Sequence, residues 1–140
     1  MKRLETTRTN QLGEVILGSI TMVETSWNAG TLSAKEAKRL SGLLKDKSDY
    51  TGYSVILYSG RVRHLANRHM SEPRRKQRNV RFVDFFNLYE IVAHCNSVSM
   101  ENDGRLRFRK LYPDGEYILI VEPMKSKKEL VAVTLWILRR

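Results

Sequence analysis

The feature that most constrains the fold is a change in hydrophobic period near Asn96. Before it, apolar residues recur every three or four positions, which is typical of amphipathic helices. After it, apolar and polar residues alternate along short segments separated by turns with Asp-Gly at 103–104 and 114–115, the pattern of antiparallel hairpins. The predicted strands are Ser97–Met100, Arg105–Leu111, Glu116–Glu122 and Glu129–Leu138. This predicts an α+β fold, with N-terminal helices packed on a four- to five-stranded antiparallel sheet.

The first third of the chain is predicted to be a helical lead-in or linker, residues 1–50, ahead of a basic domain, residues 51–140. Apolar residues recur at helical spacing from Leu12 to Trp27. Ser33 and Glu36 have the spacing of a capping box and predict the start of a second helix. A polar turn over 47–52 marks the boundary. The elements predicted between the boundary and the sheet are a strand at Tyr53–Tyr58 and helices at Arg61–Met70 and Phe82–Ala93.

The charge of the chain indicates a polyanionic partner. Its 140 residues, enough for one domain, carry a net charge of +10 and a pI near 10.0. Eight basic residues and one acidic residue lie between Arg61 and Arg81. A chain this basic attracts phosphate at long range, and counterion release favours binding. Nucleic acid, an anionic membrane surface and an acidic protein all fit this charge. Alternatively, the basic run between Arg61 and Arg81 is a solvated loop that binds no ligand.

Several function classes find no support in the sequence. Cys95 is the one cysteine, so an internal disulfide is excluded and a reducing compartment is expected. No apolar stretch is long enough to span a bilayer, so we expect a soluble protein without a membrane partner and with a cytoplasmic site of action, although the delivery route stays open. Metal-binding and nucleotide-binding motifs are absent from the sequence, and neither a metal nor a cofactor is predicted. If the chain cleaves nucleic acid without a metal ion, the nucleophile would be the 2′-hydroxyl of RNA.

Alternation in the strand Arg105–Leu111 predicts one cationic face of the sheet. Its apolar residues share one face with the core, while Arg105, Arg107 and Arg109 share the other. The arginine face is not the core, because burying unpaired guanidinium groups costs several kcal/mol.

Alternation in the last strand places a hydroxyl and an indole opposite its aliphatic residues. Thr134 and Trp136 share a face, and we expect the other face, formed by Val131, Val133, Leu135 and Ile137, to meet the helices. Cationic groups beside an aromatic ring are what recognition of single-stranded RNA requires. An exposed face with scattered arginines and a half-buried Trp is the alternative without function.

The helix predicted over Arg61–Met70 holds two of the three histidines. His64 and Arg68 are four residues apart and share its exposed side, whereas His69 lies near the buried stripe. A histidine can act as a general acid or base near neutral pH. A histidine near an apolar stripe is more often structural, and His94 is interpreted as a partner of a helix C-terminus.

The order of these segments resembles a nuclease superfamily found in phages and polymorphic toxins. The matching segments are Arg63-His64-Leu65-Ala66-Asn67-Arg68-His69, then Arg107-Phe108-Arg109-Lys110, then Tyr117-Ile118-Leu119-Ile120-Val121, and finally Val131-Ala132-Val133-Thr134-Leu135-Trp136. They are similar to the "HIxxRHP" helix, the lysine-bearing strand and the terminal "vvT" strand of barnase, EndoU, colicin and RelE-like nucleases. The resemblance covers residues 53–138, and Met70 stands where that pattern has proline.

The resemblance implies a barnase- or RelE-like RNase toxin fold with its active site on the exposed face of the sheet. By position it implies catalytic roles for His64, His69, Lys110 and Thr134. Alternation, however, places Lys110 on the face of the apolar residues of its strand. Either a β-bulge returns Lys110 to the cationic face, or Arg109 is the cation there. The residues predicted to bind substrate are Arg63, Arg68, Arg107, Arg109 and Trp136.

Two functions remain open at this point. The first is a metal-independent endoribonuclease toxin that cleaves RNA, such as tRNA or another single-stranded or loop RNA, to 2′,3′-cyclic phosphate ends, and is held by an acidic immunity protein or antitoxin. The second is a non-catalytic RNA-binding accessory protein of a phage or mobile element.

Overall fold

The computed structural model describes residues 12–13, 24–65, 78 and 80–139, without the side chains of residues 63–65 and 82. The strands and helices in this part of the chain are β1 (Ser26–Thr31), α1 (Ala34–Leu44), β2 (Ser54–Tyr58), α2 (Ser59–Leu65), a 3-10 helix (Phe82–Asn87), α3 (Leu88–Ala93), β3 (Ser97–Met100), β4 (Leu106–Tyr112), β5 (Gly115–Met124), a 3-10 turn (Lys125–Lys127) and β6 (Glu129–Arg139). None of the described helices is long and apolar enough to cross a bilayer.

The strands form one six-stranded mixed sheet in the order β1-β2-β6-β5-β4-β3. The α+β class is confirmed, but the prediction of four to five antiparallel strands is wrong, because β1 adds a sixth strand and β2, the strand predicted at Tyr53–Tyr58, runs parallel to β6. The hairpins β3-β4, β4-β5 and β5-β6 are as predicted. Parallel pairing joins segments that are distant in sequence, so no turn signal marks it.

Residues before the predicted boundary contribute to the same sheet and core as those after it. Leu12 and Gly13 are helical, but Trp27, expected at the end of that helix, lies in β1. Trp27 and Ala29 are buried because alternation along β1 turns them toward the core. Residues 14–23 lie outside the described part of the chain, and the division near residue 50 stays a prediction.

Helix α1 begins where the sequence indicates. Ser33 Oγ accepts a hydrogen bond of 3.1 Å from the Glu36 backbone N–H, and Glu36 Oε1 accepts one of 2.9 Å from the Ser33 N–H. This reciprocal capping box satisfies two amides at the helix start. Ala37 and Leu40 are buried, so the apolar side of α1 faces the core. The helix predicted over Phe82–Ala93 is a 3-10 helix followed by the short α3.

The main core lies between the helices and one face of the sheet, which we call the helix face. The opposite side of the sheet is the outer face. The sheet residues in this core include Val55, Leu57, Leu106, Phe108, Tyr117, Leu119, Val121, Leu130, Ala132, Leu135 and Ile137. The outer face carries Arg107 and Arg109 of β4 and Thr134 and Trp136 of β6, as the alternation predicts.

A β-bulge in β6 corrects one part of the predicted face assignment. Ile120 pairs with Thr134, but the next residue of β5, Val121, pairs with Ala132, so Val133 has no partner in that register. One inserted residue reverses the alternation on its two sides. Leu135 and Ile137 therefore face the helices as expected, whereas Val131 is not part of that core and Ala132 is.

Candidate nucleic-acid interface

Strand register brings the polar residues of the outer face into two rows. In one row, Ser99, Arg107, Ile120 and Thr134 are direct neighbours across β3, β4, β5 and β6. In the next row, Ser97, Arg109, Ile118 and Trp136 are neighbours in the same way. Directly opposite residues have Cβ atoms about 5 Å apart, so each row places a cation, an aliphatic floor and a hydroxyl or indole side by side.

These rows border an open groove of about 480 Å³ on the outer face. Its walls include Arg107, Thr134 and Trp136, all of which the sequence predicts as site residues. Ile120 and Arg105 also line the groove, together with residues 101–103 of the β3-β4 turn. The groove therefore joins a hydroxyl, a guanidinium group and an aromatic ring in one space.

Arg107 is the central cation of this groove. Its Nε donates a 2.6 Å hydrogen bond to Glu101 Oε1, and its Cζ lies 5.8 Å from the centroid of the Trp136 ring. Both side chains of the ion pair are about one-third exposed, at 35% and 36%. A guanidinium group has further N–H donors beyond Nε, so Arg107 can hold Glu101 and still contact an anion in the groove.

The neighbouring arginines of β4 are also paired with acidic side chains. Arg109 Nη1 lies 2.8 Å from Glu116 Oε1, and Arg105 Nε lies 3.8 Å from Asp103 Oδ2. The outer face thus carries the predicted arginines, but each has an acidic neighbour. A phosphate at this face must compete with carboxylates for the guanidinium groups.

Lys110 is not brought to the groove. The β4-β5 register runs without interruption from Leu106 to Tyr112, so no bulge in β4 reverses its alternation. Lys110 lies on the helix face, where its Nζ donates a 2.9 Å hydrogen bond to the His94 carbonyl oxygen. Of the two alternatives that the sequence leaves open, the geometry therefore places Arg109, and not Lys110, on the outer face.

The histidine motif falls largely outside the described residues. The backbone of His64 belongs to α2, which contacts β6, the strand of Thr134 and Trp136. The side chains of Arg63 and His64, and all of Arg68 and His69, lie beyond what the structure describes. Where the chain is described again, the Arg78 N–H donates a 2.9 Å hydrogen bond to the Ile137 carbonyl oxygen of β6.

The third histidine belongs to a separate cluster on the helix side. His94 follows the end of α3, and its Nε2 lies 3.7 Å from Glu36 Oε2. Burial acts to raise the pKa of Glu36, but hydrogen bonds from Ser33 and Tyr89 lower that pKa overall. Cys95 is buried beside Arg39, and its burial raises the pKa of the thiol. This cluster is a packing and capping arrangement that lies away from the groove.

A comparison with known protein families identifies the family of this chain. Residues 30–140 match a family model described as phage-Barnase-EndoU-ColicinE5/D-RelE like nuclease3. The chain belongs to this nuclease family. No curated protein and no solved structure matches the chain. The match confirms the resemblance and extends beyond residues 53–138 to include α1.

Two features of this chain are not indicated by the motifs and the alternation of the sequence. Glu101 lines the groove and contacts Arg107, whereas the sequence pattern indicates only a hairpin connection at this place. An acidic residue directly after β3, in phase with Ser97 and Ser99 and in a hairpin with a strand of alternating arginines, is the signal that could have identified it. In the described residues, no three His, Cys, Asp or Glu side chains are grouped so that they could hold a metal ion.

The second missed feature is the structural role of Arg78, which belongs to the basic run. Its guanidinium donates two hydrogen bonds to Asp84, at 2.7 and 2.9 Å, and one of 2.6 Å to the Tyr117 hydroxyl. Asp114 accepts from the same guanidinium at 3.0 Å. Burial, followed by the charge of Asp84, raises the pKa of Tyr117 to about 12. This cluster holds the chain at Arg78 beside β6.

Proposed function

We propose that this nuclease is an endoribonuclease toxin that cleaves single-stranded or loop RNA in the outer-face groove, without a metal ion. The observation that carries the proposal is the convergence of Arg107, Thr134 and Trp136 from two strands in one groove. Residues that the resemblance and the alternation single out independently thereby line one surface. The proposal includes a barnase- or RelE-like arrangement of the active site, action in the cytoplasm and neutralisation by an acidic immunity protein or antitoxin.

Each groove residue has a role that its chemistry supports. Arg107, with Arg109 in the next row, stabilises the negative charge that develops on the phosphate. The Thr134 hydroxyl donates a hydrogen bond to a phosphate oxygen. The Trp136 indole provides a surface on which an unpaired base can stack. Lys110 has no role in this proposal, because it lies on the helix face.

The proposed reaction is an internal transfer at phosphorus. The 2′-hydroxyl oxygen attacks the adjacent phosphorus, a basic side chain takes the 2′-hydroxyl proton, and the bond between phosphorus and the 5′-oxygen breaks. The departing 5′-oxygen receives a proton, so the products are a 2′,3′-cyclic phosphate and a 5′-hydroxyl. We assign one of these proton transfers to His64 or His69. His64 is favoured by the exposed face that it shares with Arg68 in the predicted helix, and His69 by the family motif.

The test is incubation of the purified full chain with total RNA, tRNA included, in the presence of a chelator, followed by mapping of the RNA ends. Cleavage to cyclic phosphate ends is expected, and His64→Ala and His69→Ala should show which histidine is required. Intact RNA after prolonged incubation contradicts the proposal. RNA that shifts in a gel with steep salt dependence and stays uncut instead supports the non-catalytic binding function.

A further inference from the structure

We propose that the free edge of β3 is the binding site of an acidic protein segment, which joins the sheet as a further antiparallel strand. The proposal rests on the proposed function in one respect, since the segment belongs to the acidic immunity protein or antitoxin named there. It goes beyond that function because it gives this partner a place on the fold, a strand direction and a sequence pattern.

β3 is an edge strand whose outward main-chain groups meet no described strand. In its hairpin with β4, the Glu101 N–H donates a 2.7 Å hydrogen bond to the Arg105 carbonyl oxygen. Residues of an antiparallel pair alternate between hydrogen-bonded and non-bonded positions, so Val98 and Met100 occupy non-bonded positions. Their N–H and C=O groups therefore point away from β4, to the open side of the described sheet.

The two edges of the sheet differ in how far they are protected against a further strand. β1 contains a β-bulge between Asn28 and Gly30, and the Asn28 side chain accepts a 2.9 Å hydrogen bond from the Gly30 N–H. Bulges, charges and prolines are common means of blocking an edge. β3 pairs with β4 without a register shift, and its sequence, Ser-Val-Ser-Met, contains neither a charge nor a proline. The strand has only four residues, so a partner strand needs side-chain contacts as well.

Apolar side chains beside this edge supply part of those contacts. Met100 is 53% exposed, and Val98, on the same helix face, is half-buried. Leu43 of α1 is 41% exposed, and α1 contacts β3. Leu43 is four residues from Arg39, whose guanidinium donates a 2.6 Å hydrogen bond to the Cys95 carbonyl oxygen shortly before β3. Because residues four apart share one side of a helix, Leu43 lies on the side of α1 that faces β3.

The charges along the edge favour an acidic partner at one end. Arg39 Nη2 and Lys110 Nζ donate hydrogen bonds to main-chain carbonyl oxygens just before β3, at 2.6 and 2.9 Å. Neither cation forms an ion pair within the described part of the chain. At the other end of β3, the carboxylates of Glu101 and Asp103 are paired with arginines. Carboxylates of a partner are therefore expected at the start of β3.

These contacts define the pattern of the added strand. In an antiparallel strand, the residues opposite Met100 and Val98 are two positions apart and share one face. The residue two positions further on lies opposite Asn96, on the helix face with Arg39 and Lys110. The expected pattern is therefore apolar-x-apolar-x-acidic, where x is any residue, read toward the C-terminus of the partner segment.

Other occupants fit this edge less well. A second copy of the chain brings another net charge of +10, and the carboxylates of its β3-β4 turn are already paired. A nucleic acid offers phosphates to Arg39 and Lys110, but no strand to the main-chain groups of Val98 and Met100. An acidic extended segment satisfies both sets of groups.

The experiment uses the full chain and a fluorescent peptide, Thr-Val-Thr-Val-Thr-Glu-Glu, with a control peptide in which both glutamates are glutamine. Met100→Pro removes an outward N–H without removing a hydrogen bond to β4. Lys110→Gln removes one of the two cations. Lys127→Gln, on the exposed turn between β5 and β6, has the same change in net charge and is the control. Fluorescence anisotropy gives the dissociation constants.

We expect the wild type to bind the glutamate peptide about threefold to tenfold more tightly than the glutamine peptide. Met100→Pro should weaken the binding of both peptides by about fivefold or more, because one hydrogen bond is lost and the ring obstructs the edge. Its RNA cleavage should stay at the wild-type level, which shows that the variant is folded. Lys110→Gln should weaken only the binding of the glutamate peptide, and Lys127→Gln should bind both peptides as the wild type does.

The proposal is overturned if the wild type binds neither peptide or binds both equally, or if Lys110→Gln and Lys127→Gln bind the glutamate peptide alike. A folded Met100→Pro that binds as the wild type does also overturns it, and if this variant does not fold, Lys110→Gln decides. A wild-type dimer in sedimentation that Met100→Pro abolishes would assign the edge to a second copy instead. RNA cleavage by the same wild-type sample keeps the two failures apart. Cleavage without peptide binding leaves the proposed function standing, and peptide binding without cleavage leaves the strand site standing.

Discussion

Arg78 and Arg107 show how differently two arginines of one basic chain are used. Each has a carboxylate oxygen at 2.6–2.7 Å. Arg78 is mostly buried, with 14% of its side chain exposed, and its partner Asp84 is 2% exposed. Arg107 and Glu101 are both about one-third exposed on the wall of a groove. The two ion pairs have similar lengths, and they differ in how much of their side chains is exposed to solvent.

The difference teaches that a basic run in a sequence is not equivalent to a binding surface. Arg78 lies within the run between Arg61 and Arg81, yet its guanidinium is committed to Asp84, Asp114 and Tyr117. Arg107 lies outside that run and reaches the groove through strand alternation. We therefore expect changes at Arg78 to affect folding and changes at Arg107 to affect activity.

The largest effect is expected from Arg78→Ala. Removing the guanidinium leaves the Asp84 carboxylate buried without its main partner, and breaking a buried ion pair in this way costs about 3–5 kcal/mol of the free energy of unfolding. Denaturant unfolding followed by circular dichroism measures this loss. Arg139→Ala, at an exposed position near the end of β6, is the control and should change stability by less than about 0.5 kcal/mol. Equal stability of the two variants would contradict the structural role of Arg78.

The next effect is expected from Arg107→Ala, compared with Lys110→Ala. Both changes remove one positive charge from β4, but from opposite faces of the sheet. Loss of a group that stabilises transition-state charge should lower kcat/KM for RNA cleavage by about 10²-fold, with little change in stability. Lys110→Ala should have a much smaller effect on cleavage. The reverse order of the two effects would assign the catalytic cation to Lys110, as the family pattern implies.

This pair of variants also marks what the sequence could and could not predict. Alternation alone separates Arg107 from Lys110, and the capping box at Ser33 and Glu36 is visible from spacing. Such features depend on neighbouring residues. The bulge that leaves Val133 without a β5 partner and the parallel pairing of β2 with β6 depend on contacts between distant segments. No local pattern encodes them.

The groove contains residues of both kinds, some that a local pattern predicts and one that depends on contacts between strands. Thr134 and Trp136 are predictable as residues of one face, and so are the β4 arginines. The approach of Glu101 to Arg107 does not follow from alternation within β4, because it depends on the register of the β3-β4 hairpin, in which the Glu101 N–H donates a 2.7 Å hydrogen bond to the Arg105 carbonyl oxygen. The sequence therefore predicted the cations of the site and missed the anion that modulates them.

A smaller effect is expected from Trp136→Ala. Stacking of a base on an aromatic side chain contributes about 1–3 kcal/mol, so the affinity for a single-stranded probe should fall by roughly tenfold or more. Trp136→Phe keeps an aromatic surface and should retain much of the binding, which a gel shift with a 2′-O-methyl strand measures. If both variants bind as the wild type does, the indole takes no part in binding, and the functional contrast between the groove and the Arg78 cluster rests on Arg107 alone.

The smallest effect concerns Glu36, whose carboxylate on the helix side is committed to the fold as that of Asp84 is. Because the pKa of Glu36 is lowered in the folded protein, its contribution to stability is complete above its ordinary value of 4.5 and is lost as the pH falls through the folded value. Glu36→Gln keeps an acceptor for the Ser33 N–H but removes the charge near the start of α1, so it should cost less than about 1 kcal/mol near neutral pH and should flatten the decline of stability between about pH 5 and pH 3. Unfolding measured across this range tests both effects. A decline as steep as that of the wild type would show that other carboxylates govern acid unfolding. Asp114 is then the first to examine, because burial acts to raise its pKa but hydrogen bonds from Arg78 and Tyr117 lower that pKa overall.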